Sequence, residues 1–141
     1  MIEHLAATLL HGFELFRAET AQLPLAVLAW MWAMRIVLGA SIVFLRHRGA
    51  LVTFGTMLAT AVGRFYIKGI FPEIPAPQIG ASVHVVLWLP LLAFLLYSMR
   101  APRPQEPSRF DRAYATWRGV AAVVLAVSLV FDVREVVRIL S

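Results

Sequence analysis

The chain reads as an all-α membrane protein: an antiparallel bundle of four transmembrane helices preceded by an interfacial amphipathic helix. Three observations predict this class. Of the 141 residues, 60% are hydrophobic and only 15% are charged, where soluble domains run nearer about 45–50% and about 25%. The mean hydropathy is +0.77. Four stretches also approach the roughly 20 apolar residues needed to cross a hydrocarbon core about 30 Å thick. This composition excludes a disordered chain, and the absence of cysteine excludes a disulfide scaffold or a thiolate metal site.

Residues 1–20 place Ile2, Leu5, Leu9, Phe13 and Phe16 at helical spacing, with Glu3, Glu14 and Arg17 off that stripe, as in a helix lying in the membrane interface. Residues 24–140 form the transmembrane domain. Its first span, 24–45, opens on Pro24, suited to a first helical turn, and ends at Arg46-His47-Arg48-Gly49. The second, 50–71, stops at Pro72-Glu73-Ile74-Pro75-Ala76-Pro77, a run whose prolines cannot continue a helix. The third, 81–99, contains Pro90, which frees the Val86 carbonyl and predicts a kink. Residues 100–109, with Pro102, Pro104 and Pro107, read as an extended polar linker. The fourth helix begins near Arg112, and its span covers 115–139.

The isoelectric point of about 10.7 invites a nucleic-acid reading. The cations are almost all arginines flanking apolar runs, however, which is an orientation signal instead. Arg46, Arg48, Arg100, Arg103, Arg109, Arg112 and Arg118 fall on one side, against Arg17, Lys68, Arg134 and Arg138 on the other. The positive-inside rule then leaves both termini outside, which is periplasmic for a bacterial inner membrane.

Charges inside spans cost about 2.5–3.5 kcal/mol each on insertion scales, so each needs a reason. Arg64, His84, Lys68, Asp132 and Glu135 fall at similar depths in the outer half of the bundle, within one slab about 7–8 Å thick at about 1.5 Å per residue, with Arg35 somewhat deeper. On the second span Thr56, Thr60, Arg64 and Lys68 recur every fourth residue. Beside that stripe, Gly55, Ala59 and Gly63 form a small-residue face that lets another helix approach closely. Ser128, Asp132 and Glu135 share one face of the fourth helix, and His84 and Trp88 lie one turn apart on the third.

Two readings of this slab compete. In one, Arg35, Arg64, His84, Asp132 and Glu135 handle a proton, ion or polar solute, with His84 as the titratable group and Asp132 or Glu135 as its counter-charge. In the other, Arg64 and Asp132 form a structural ion pair that fixes helix register. Lys68, Arg134 and Arg138 are expected to snorkel to the headgroups. Arg35 has no evident partner in its own chain, which hints at assembly. Trp117 fits an aromatic belt. His4 and His11 stack on one face of the first helix without the spacing of a zinc site, and Met31 and Met34 read as packing.

No nucleotide-binding loop is present, and the loops are too short for a nucleophilic triad. No cofactor is expected: haem between helices would want paired inward histidines, and a retinal Schiff base a lysine at mid-span. The expectation is a small polytopic membrane protein working as a homo-oligomer in passage of a small solute, ion or proton. Its partners would be the lipid bilayer and copies of itself. The alternative is an accessory or assembly subunit of a larger membrane complex. An enzyme using His84 and an acid ranks last, because nothing beyond the residue types supports it.

Overall fold

The computed structural model describes residues 1–100 and 106–141, so half of the linker expected at 100–109 lies outside the described residues. The described elements are all helical: α1 (Ile2–Thr20), α2 (Leu25–Gly39) continued by a 3₁₀ segment (Ala40–Phe44), α3 (Arg48–Ile70), α4 (Ala76–Ser98) and α5 (Arg109–Leu140). Three segments are long and apolar enough to cross a membrane: Leu25–Phe44, Arg48–Ile70 and Ala76–Ser98. The apolar stretch of α5, Val120 to Phe131, lies between Arg118 and Asp132.

Two helix starts differ from the sequence reading. The third span was expected to begin near Ala81, but α4 starts at Ala76, with Pro75 as N-cap and Pro77 in its first turn. The first-turn N–H groups of a helix have no internal partner, so proline costs nothing there. Similarly, α5 starts at Arg109 and not near Arg112, because Ser108 and Asp111 form a reciprocal capping box. The Asp111 carboxyl is held below its ordinary pKa range, chiefly by the Ser108 hydroxyl and then by the Ser108 N–H.

One end of the bundle is closed by aromatic side chains. The His47 ring stacks on Tyr114 at 3.9 Å, and Phe44 meets Phe110, Tyr114 and Trp117. Trp117 is buried and belongs to the core instead of a belt. Its indole N–H donates to the Val37 carbonyl at 2.7 Å. That carbonyl lies where α2 tightens into 3₁₀ form, a change that redirects N–H groups from the i−4 to the i−3 carbonyl. Leu38, Leu95, Ala121 and Leu125 fill the layer beneath.

At the other end α1 packs along α3. Its Gly12 leaves room for the Phe65 carbonyl, and Gly69 of α3 leaves room for the Thr8 carbonyl; a Cβ at either glycine would fall on backbone oxygen. Phe13 and Phe16 then meet Phe65 edge-on, with centroids 5.2 and 5.7 Å away. Lys68 corrects the sequence reading most sharply. Instead of snorkelling it is fully buried, and its ammonium donates to the Pro72 and Ile74 carbonyls at 2.7 Å each and pairs with Glu19. Glu19 in turn accepts the Ala76 N–H at 2.7 Å, capping α4. One lysine and one carboxylate thus join α1, the end of α3, the turn and the start of α4.

Two predictions follow from this end of the molecule. Gly12→Leu or Gly69→Leu should destabilise the protein by at least about 1–3 kcal/mol, the usual cost of overpacking, and free α1 to proteolysis; unchanged protection would refute the interlock. The second concerns acid. Partial burial raises the Glu19 pKa, but the Lys68 and Ala76 hydrogen bonds and the Lys68 charge outweigh it, so the net value lies below 4.5. A group whose folded pKa is depressed stabilises above its unfolded pKa, and that contribution is lost as pH falls through the folded value. Thermal stability should therefore fall with acidification below about pH 4.5, and Glu19→Gln should flatten that part of the profile.

Candidate functional site

Two adjoining cavities of about 70 and 510 Å³ lie between the helices, the smaller lined by α2, α3 and α4 and the larger by all five, reaching out to Thr20, Leu23 and the first turn of α4. Arg64, His84, Met31 and Met34 line both. The smaller is completed by Arg35, Thr60 and Trp88, among others. The larger has mostly apolar walls, including Phe16, Trp30, Val127 and Phe131, with Ser128 and Asp132 as further polar members.

The helical register accounts for this convergence. Thr60 and Arg64 lie one turn apart on α3, His84 and Trp88 on α4, and Ser128 and Asp132 on α5, so each helix presents a two-residue polar edge to the same level. These edges are linked by hydrogen bonds. His84 Nδ1 and Asp132 Oδ2 are 3.1 Å apart, and the Ser128 hydroxyl donates to the same Asp132 oxygen at 3.2 Å. The His84 ring stacks on Trp88 with centroids 3.8 Å apart. The buried Trp88 indole donates to Thr60 Oγ1 at 3.0 Å, and the Thr60 hydroxyl donates back to the Thr56 carbonyl.

Arg64 is handled differently. It pairs with no carboxylate among the described residues, Asp132 included, so the ion pair expected between Arg64 and Asp132 does not form. Its guanidinium instead lies 5.0 Å from the Phe16 ring centroid and 4.9 Å from that of Phe65. An aromatic face offsets positive charge without satisfying in-plane N–H groups. The Arg64 Nε is accordingly buried without a partner, and so is His84 Nε2.

The remaining expected residues separate from this centre. Arg35 is largely exposed, lies over the Trp32 ring at 5.0 Å, and pairs with no carboxylate among the described residues. Glu135 faces a neighbouring groove with Arg134 and Arg138, and lies 3.7 Å from Arg138. Of the small residues on α3, Gly55 and Ala59 are exposed, whereas Gly63 is turned toward Val83 of α4. Gly55 and Ala59 line an apolar groove shared with Pro90 of α4. His4 and His11 are exposed on α1, and no three His, Asp or Glu side chains converge on a metal-sized site among the described residues.

Phe16 and Thr60 were not anticipated as parts of this site. The fourfold spacing of Thr56, Thr60 and Arg64 was the signal for Thr60; for Phe16 there was none, since its role depends on how α1 docks.

The Trp88–Thr60 bond gives a direct check. Thr60→Val leaves a buried indole N–H without an acceptor and should cost about 1–3 kcal/mol. In a Trp88→Phe background the same change should cost far less. Equal losses in both backgrounds, measured by thermal unfolding, would show that the bond is not coupled to stability. No known family model matches the chain, and neither a curated protein nor a solved structure does.

Proposed function

We propose that the protein is an integral membrane bundle that binds a small polar or charged solute, ion or proton within its interior and takes part in its passage as a homo-oligomer. The observation that carries this reading is the meeting of Arg64, His84 and Asp132 around cavities among apolar helices. Ionisable groups are expensive at such depth and usually face an interior or a water-filled path. His84, hydrogen-bonded to Asp132 through one ring nitrogen and buried without a partner at the other, is suited to binding a polar group or relaying a proton.

In this reading α5 is the fourth span and α1 lies at the interface. The arginine-rich loops are cytoplasmic, and both termini are periplasmic in a bacterial inner membrane. Four short helices rarely enclose a continuous pathway alone, so this reading calls for a second copy. The exposed Gly55–Ala59 face and its groove beside Pro90 fit a helix of that copy.

A second reading, an accessory subunit of a larger complex, draws support from Arg35, which is largely exposed on an apolar helix. Native mass spectrometry after gentle extraction separates the two: identical copies favour passage, and other polypeptides in fixed ratio favour the accessory role.

The passage reading is tested in proteoliposomes, by following proton and small-ion flux. Arg64→Gln and Asp132→Asn should each reduce flux by about tenfold or more while the protein still inserts, as expected for loss of about 1.4 kcal/mol or more at the site. Flux at the wild-type level in both variants would end this reading.

A further inference from the structure

The Arg64 guanidinium at the two cavities has no carboxylate partner among the described residues. Arg64 lines both cavities, whereas Arg35 is exposed and borders only the smaller one, and among the described residues Asp132 is the only carboxylate lining either. That carboxylate is already engaged by His84 and Ser128. Glu135 lies in the adjoining groove, 3.7 Å from Arg138, and Glu19 is bound by Lys68 and Ala76. The Arg64 guanidinium is thus left without an anionic partner among the described residues, in an apolar setting. A buried charge without a complement is costly, and a bound counter-ion removes that cost.

The shape of the space restricts the counter-ion further. The larger cavity, about 510 Å³, falls within the range of about 300–1,000 Å³ typical of sites for small organic ligands. Its walls are chiefly apolar, with Leu23, Val27, Trp30, Val127 and Phe131 leading away from the polar members Arg64 and His84. Arg64 Nε and His84 Nε2 are both buried without partners. A compact inorganic anion would satisfy the guanidinium but leave the apolar walls unfilled. A neutral hydrocarbon chain would do the reverse.

We propose that this cavity binds a monoanionic amphiphile: a carboxylate or comparable singly charged head on Arg64, beside His84, with its apolar chain along Trp30, Val127 and Phe131. The assignment rests on the reading of the cavity as a solute site, and it names the class of solute. Cation–π contact with Phe16 and Phe65 holds the guanidinium in place while leaving its N–H groups free for the head. A free fatty-acid anion and an anionic bilayer phospholipid share this chemistry.

The test uses the full chain in zwitterionic nanodiscs, with dodecanoate, dodecanol and dodecyltrimethylammonium as probes, and separately with phosphatidylglycerol doped into the disc. Quenching of tryptophan fluorescence by brominated forms of the probes and native mass spectrometry report occupancy. Dodecanoate should bind at least about tenfold more tightly than dodecanol, as one charge-assisted hydrogen bond would give. Arg64→Gln should abolish that preference, while Arg134→Gln, outside both cavities, should leave it intact. Retention of phosphatidylglycerol with the same Arg64 dependence, without dodecanoate preference, would support the class and identify the bilayer as its source. Equal binding of dodecanoate and dodecanol with no Arg64-dependent retention of phosphatidylglycerol would overturn the proposal. So would selective binding that survives Arg64→Gln. Ion or proton flux without amphiphile selectivity would remove this proposal and leave the passage reading standing. Selective binding without any flux would do the opposite.

Discussion

The buried ammonium of Lys68 is the constraint on which the rest of this end of the structure depends. A lysine removed from water must have acceptors, and here they come from the Glu19 carboxylate and two carbonyls of the α3–α4 turn. The turn is thereby folded back over the helix end, and Glu19 is positioned to cap α4. The α1 helix cannot leave without exposing both Lys68 and the first turn of α4. Where apolar burial gives little drive for helices to associate, as in lipid, such polar ties and close glycine contacts carry a larger share of the specificity.

Holding α1 in place has an effect deeper in the bundle. Phe16 lies three residues before Glu19 and supplies one of the two rings against Arg64. Aromatic faces thus do for Arg64 part of what a carboxylate would otherwise do. Asp132 is consequently left to His84, and Arg64 keeps no carboxylate of its own among the described residues. The site is an outcome of how the amino-terminal helix docks as well as of the residues that line it.

Much of the helical layout was legible in the sequence, because runs of apolar residues about 20 long and the Pro72–Pro77 punctuation are strong local signals. The level shared by Arg64, His84 and Asp132 was legible too, from residue counting alone. What could not be read was pairing. Equal depth places Arg64 and Asp132 at the same height, but which faces meet depends on helix rotation, and Phe16 arrives from an element whose docking leaves no periodic trace. Lys68 misled for a similar reason: a lysine near a helix end normally reaches water, and only the turn carbonyls and Glu19 make burial tolerable here. The early start of α4 was hidden by reading Pro77 as a breaker when it occupies a first turn.

The contact between Glu19 and Ala76 spans 57 residues of sequence. During synthesis at about 5–20 residues per second, α1 therefore emerges about 3–11 s before the group it caps. Over that interval its Gly12 face has no α3 to meet, and its apolar stripe must find lipid or a chaperone as temporary company. Docking of α1 must therefore wait at least for α3, and the cavity acquires its Phe16 wall only when that step is complete.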